Sequence, residues 1–240
     1  MQPAFNFQGS PAPLSVLLFL STGALLTALI VAAVVLLAKN NRFAARRVGL
    51  AAGVVAGAYL LVLVGASLAS RPRVVEPGNA KYFCEIDCHL AYTVTGARRL
   101  QALGGARTAG AFEVVTLKVW FDPGTTSARR DRSPLYPNPR AVRLIDAQGK
   151  AYEPSPPGQA ALEAAEGRQV PLTEALRPGE AYTTSLVFEV PAGARAAELL
   201  LTESDPVTRL LIGHENSLLH HRVPFRLTDP SRTAQAEVRG

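Results

Sequence analysis

Phe112-Glu-Val-Val-Thr-Leu-Lys-Val-Trp-Phe121 is the stretch on which the fold turns. Val115, Leu117, Val119 and Phe121 share one face of an extended chain, with Thr116 and Lys118 on the other, the period of two of a half-buried strand. Around it, alternating segments at 91–96, 141–146, 150–152, 181–190, 197–202 and 222–227 are separated by Gly, Pro, Asn and Asp. About seven short strands with no alternating helices predict an antiparallel sandwich over a parallel α/β sheet.

The connections support the same reading. Arg143 to Tyr152 predicts a hairpin with Gly149 available for positive φ, and Pro178-Gly179 predicts a type II turn before the strand at 181–190. Residues 158–166 favour a short helix ended by Gly167, expected to cap one end of the sheets. Between 122 and 140, Arg129, Arg130, Arg132 and Arg140 lie among Pro134, Pro137 and Pro139. That segment is expected to be a long surface loop and a contact surface for an acidic partner or lipid headgroups.

The N-terminal part follows different rules. Residues 1–70 contain no Asp or Glu, and their only charges are Lys39, Arg42, Arg46 and Arg47. Removing those four from the 25 Lys and Arg leaves 21 against 19 acids, so residues 71–240 carry a formal charge of only +2. The pI of 9.7 is mostly a property of the N-terminal part, and it does not imply nucleic-acid binding, which needs a basic face interleaved with stacking aromatics. Residues 14–38 and 48–70 are two uncharged apolar runs, each long enough to cross about 30 Å of hydrocarbon at 1.5 Å per residue. The basic connector 39–47 is expected in the cytoplasm, which puts both the N-terminus and the C-terminal domain outside the cytoplasmic membrane of a bacterium. Gly49, Gly53 and Gly57 fall on one face of the second helix, where another helix can approach closely; Gly23, Thr27 and Ala28 of the first offer a matching surface.

Over roughly residues 90–203, the order of Phe112-Glu-Val-Val-Thr-Leu-Lys-Val, Leu144-Ile-Asp-Ala-Gln-Gly-Lys-Ala-Tyr152, Leu176-Arg-Pro-Gly-Glu180 and Leu186-Val-Phe-Glu-Val-Pro191 resembles the immunoglobulin-like extracellular domains of bacterial lipoproteins and membrane-anchored proteins. Much of that family has no assigned function. The resemblance implies an outward-facing β-sandwich and no catalytic residue. The chain departs from the family's pattern in its two-helix anchor, its Cys-containing lead-in and its His-containing tail.

Chemistry is concentrated in those departures. The two cysteines lie in Tyr82-Phe-Cys-Glu-Ile-Asp-Cys-His89. On an extended strand Cys84 and Cys88 would be about 13 Å apart, so a disulfide requires the chain to turn between them. An oxidising compartment favours that bridge. The alternative is a copper or zinc site in which Cys84 and Cys88 are joined by His89 and by His214, His220 or His221. In plan the chain is also similar to the copper subunit of terminal oxidases. The Glu, His and Met of that motif are here Ile86, Tyr92 and Thr95, and the Cys pair precedes the sandwich instead of following most of it. The Cys84-x-x-x-Cys88-His89 spacing is one residue longer than a haem-attachment Cys-x-x-Cys-His. No Gly-x-Ser-x-Gly, phosphate-cradling loop or His-Glu-x-x-His motif occurs.

These readings predict an outer tail at 1–13, a transmembrane hairpin at 14–70, a Cys-containing lead-in at 71–89, an immunoglobulin-like antiparallel sandwich at 90–227 and a flexible tail at 228–240. The expected function is a non-enzymatic, membrane-anchored module with no cofactor, whose partners are the lipid bilayer and another membrane or extracytoplasmic protein.

Overall fold

Two long apolar helices precede a sandwich of two antiparallel sheets in the computed structural model, which describes residues 12–85, 89–127 and 130–227. The chain divides into two compact units: the helices with Asp205–Arg222, and Arg73–Ser204 with the chain from Val223 onward.

Helix α1 (Ala12–Ala38) and helix α2 (Arg42–Leu68) are joined by a tight turn. Asn40 takes φ 60°, a left-handed conformation that Asn tolerates because its short side chain bonds locally. The Asn41 side chain then accepts from the Ala44 N–H and caps α2. The helix therefore starts inside the basic segment, and Arg42, Arg46 and Arg47 belong to its first turns instead of to a connector. The Arg47 guanidinium lies 4.3 Å from the Phe43 ring centroid.

The first sheet of the sandwich has the order β1-β2-β3-β6, from β1 (Ala80–Cys84), β2 (His89–Leu103), β3 (Ala106–Phe121) and β6 (Ala181–Val190). The second has the order β5-β4-β7-β8, from β4 (Arg140–Asp146), β5 (Ala151–Tyr152), β7 (Ala196–Glu203) and β8 (Phe225–Arg226). All six pairings are antiparallel. Val115, Leu117, Val119 and Phe121 are fully buried between the sheets against Leu144, Phe188, Leu199 and Leu201, while Lys118 is exposed. Burying side chains of this size from both sheets supplies the main drive to fold, about 1.5–3 kcal/mol for each large apolar residue.

Gly149 at φ 81° and Gly179 at φ 89° occupy the turns where positive φ is needed. Asp146 completes the hairpin turn by accepting from the N–H groups of Gln148 and Lys150 and from the Tyr152 hydroxyl.

The third helix, α3 (Pro156–Glu166), does not cap an end of the sheets. It covers the outer face of the first one, where Ala161 and Leu162 pack with Leu103, Phe112, Val114 and Val187. The reason lies in β3 itself: Phe112 and Val114 are apolar on the face opposite Val115, so that face also needs a cover. Gly158 permits the close approach, since a Cβ there would meet Val187 Cγ1 at 2.7 Å. Gln159 and Ser155 of this region, with Gln169, bond the outward-facing backbone groups of Ser185 and Val187, which closes part of the free edge of β6.

Candidate functional site

The chemistry-bearing residues of the sandwich gather at the end where β1 turns into β2. Cys84 and His89 face each other as the last cross-strand pair, so the chain reverses between them. Strand β1 is thus part of the first sheet and not a lead-in to it. Cys84 is exposed, and Cys88 lies outside the described residues. The backbone N–H of His89 donates to Thr125 Oγ1 (2.9 Å), and its carbonyl accepts from the Asp122 N–H (3.3 Å). Burial holds the His89 imidazole below its ordinary pKa, opposed by the Asp122 carboxylate. Asp122 is buried, accepts from the Gly124 N–H (2.8 Å), and raises the Tyr82 phenol, whose larger perturbation is burial. The Tyr82 and His89 rings meet edge to face at 6.5 Å.

Behind this hairpin is a buried ion network. The Arg140 guanidinium, its side chain fully buried, pairs with Glu85, and its Nη1 lies 3.9 Å from Glu203 Oε1. Glu85 also accepts from Asn138 Nδ2 at 2.6 Å. The guanidinium stacks on Phe83 (4.3 Å to the centroid) and Tyr92 (5.6 Å). Desolvation lifts the Glu85 carboxyl above its usual range, against the pull of Arg140 and the Asn138 bond. Lys81, also buried, donates from Nζ to the carbonyls of Leu201 (2.7 Å) and Val223 (2.8 Å). Arg140 is therefore an interior residue that ties the hairpin to the second sheet, and not part of an exposed basic loop. Of the other arginines read as that loop, Arg130 packs 5.5 Å from the Phe121 centroid, Arg132 is exposed, and Arg129 lies outside the described residues.

Beside the network an open groove of about 780 Å³ is lined by Arg168, Val170, Pro171, Glu174, Leu176 and Tyr182 among others. Backbone bonds between Leu135 and Leu176 (2.8 and 3.0 Å) tie the 122–140 segment to its wall. Burial pushes the Tyr182 phenol far above its ordinary pKa. By the alternation that turns Ser185 and Val187 outward, the backbone groups of Thr183 and of Ala181, which lines the groove, also face the edge of β6.

The remaining histidines lie in the other unit. His214 Nδ1 accepts from the Asn216 N–H, His220 Nδ1 donates to the His221 carbonyl, and the His221 N–H donates to Ser70 Oγ. Among the described residues no three of His, Cys, Asp and Glu come together in a way that could hold a metal ion. Gly49, Gly53 and Gly57 are not the surface on which α1 packs, since a Cβ on any of them would meet nothing within 4 Å.

Sequence reading did not find Arg140, Glu85, Glu203 or Tyr182 as a group. The one available signal was a charged residue, Arg140, opening an apolar strand.

No family model and no curated protein matches the chain. Among solved structures, it is similar to a secreted protein of Mycobacterium tuberculosis, at 14% identity over 66% of this chain and 99% of that one, with a TM-score of 0.43. It is also similar to a conserved hypothetical protein from Bacillus anthracis (16% identity, 51% and 85% covered, TM-score 0.36). A third is an uncharacterised β-sandwich protein from Clostridium difficile (7% identity, 66% and 96% covered, TM-score 0.37).

Proposed function

We propose that this chain is a two-pass protein of a bacterial cytoplasmic membrane. It holds an immunoglobulin-like sandwich on the outer face, where the sandwich binds another membrane or extracytoplasmic protein without catalysing a reaction. The observation that carries this reading is the surface of the helices. Leu61 is 76% and Leu50 71% exposed on an α2 of 27 residues, an apolar surface that only lipid or another apolar helix covers favourably. Basic residues cluster at the turn between the helices, which supports a cytoplasmic turn and an outer sandwich. The groove beside Tyr182, with the edge-facing backbone groups of Ala181 and Thr183 on β6, supports docking of an extended partner segment at that end.

In spheroplasts expressing the full chain, protease added outside should digest the sandwich and spare the 39–47 turn, and the chain should resist carbonate extraction. Extraction by carbonate, or protection of the sandwich, overturns the reading. In the same compartment the oxidising medium favours a disulfide between Cys84 and Cys88. Thiol labelling that needs prior reduction, with no metal by elemental analysis, is the expected result. Stoichiometric copper or zinc that disappears in the Cys84→Ser/Cys88→Ser variant would replace the disulfide with the metal site.

A further inference from the structure

We infer that Asp205–Arg222 is a membrane-embedded segment that lies in the outer leaflet along α2. This inference rests on the reading of α2 as a membrane span. The segment belongs to the same compact unit as the helices, and two hydrogen bonds fix its position along α2. The Tyr59 hydroxyl donates to the Leu210 carbonyl (2.6 Å), and the His221 N–H donates to Ser70 Oγ (3.0 Å). Between Tyr59 and the end of α2 at Leu68 the helix axis advances about 14 Å at 1.5 Å per residue. His221 is therefore level with the helix exit, and Leu210 lies about half of the hydrocarbon thickness further in. On the same stripe of α2, between these tethers, Leu63 and Ser67 are buried.

The segment is built inside out by the standard of a water-soluble loop. Ser217 and Asn216 are 0% and 4% exposed, Thr208 is also buried, and Leu219 and Leu218 are 62% and 53% exposed. Val207 and Leu210 join them on the outside. The polar side chains satisfy the segment's own groups: Asn216 Nδ2 donates to Thr208 Oγ1, Ser217 Oγ donates to the Leu211 carbonyl, and Arg222 Nη1 donates to the Glu215 carbonyl. Backbone bonds close it further, with Leu218 N–H on the Arg209 carbonyl and His220 N–H on Ser217. In water this arrangement wastes apolar area, whereas in hydrocarbon it is what the medium demands, since unsatisfied backbone there costs several kcal/mol per group. The Tyr59 bond satisfies one such carbonyl at depth. Arg209 has a stem long enough to carry its charge back toward the headgroups, and His220, His221 and Arg222 fall at the helix exit.

The test uses the full chain in phosphatidylcholine and phosphatidylglycerol vesicles carrying acyl chains brominated at positions from the headgroup to the chain end. Leu218→Trp, Leu61→Trp and Tyr136→Trp are compared with the parent, whose sole tryptophan is Trp120. Added emission that is quenched and blue-shifted at 218 and 61, but not at 136, is the expected result. Quenching at 61 without quenching at 218 overturns the embedded segment and leaves the span standing. No quenching at either position overturns both. As a second measurement, a Leu218→Asp/Leu219→Asp variant should speed amide exchange across 205–222 while leaving Trp120 emission unchanged. Unchanged exchange there argues against the inference even if the tryptophan variant fails to insert.

Discussion

The sandwich and the helical unit obey opposite burial rules within one chain. In the sandwich, Leu144, Phe188 and Leu201 are fully enclosed and Lys118 faces out. In the helical unit, Leu61 and Leu219 face out while Ser67 and Ser217 are enclosed. Under the proposed membrane reading both arrangements follow from one principle, that side chains sort by the medium around them. On the proposed membrane reading, the contrast is that of two units facing two solvents.

The contrast can be broken or sharpened by substitution. Phe188→Ala should cost about 3–5 kcal/mol of sandwich stability, because it opens a cavity in a closed core. Leu61→Ala should leave the same denaturant midpoint unmoved. Comparable losses from the two would erase the distinction. Glu85→Ala leaves the buried Arg140 guanidinium with only the more distant Glu203 carboxylate and should cost about 3–5 kcal/mol, read as a drop in thermal midpoint by Trp120 fluorescence. A midpoint close to that of the parent would mean that solvent reaches the guanidinium. Gly158→Ala drives a Cβ into Val187 and should cost about 1–3 kcal/mol. If α3 instead detached freely, the variant would match the parent. Tyr59→Phe removes one hydrogen bond from the helical unit, worth about 0.5–1.5 kcal/mol. It should speed exchange in 205–222 and spare the sandwich.

The smallest effect concerns pH. Desolvation raises the Asp146 carboxyl, but the N–H bonds from Lys150 and Gln148 and the Tyr152 hydroxyl outweigh it, and the net pKa is lowered. A depressed folded-state pKa contributes stability above the unfolded value, and that stability is lost as pH falls through the folded one. Asp146→Asn should therefore be less stable than the parent at neutral pH, with the gap closing below about pH 4. A gap independent of pH would mean that charge plays no part in that turn.

Local signals carried the elements well. The alternation at 115–121, the turn glycines at 149 and 179 and the helix ending at Gly167 were all legible because each depends on residues a few positions apart. Arg140 was misread as a loop residue because its partner Glu85 is 55 positions away and its burial exists only once the two sheets close. Lys81 is buried for the same reason, its partners being backbone carbonyls at Leu201 and Val223. The glycine stripe at 49, 53 and 57 shows the converse: its periodicity was evident, yet α1 packs elsewhere.

Length and apolarity of the two N-terminal runs, and the period-two pattern of the later segments, were enough to define helices followed by strands, since those properties act along the chain. Which charges are interior, which face α3 covers, and that Asp205–Arg222 joins the helices and not the sandwich depended on the folded chain, because burial and long-range pairing belong to three-dimensional proximity and leave no period in the sequence.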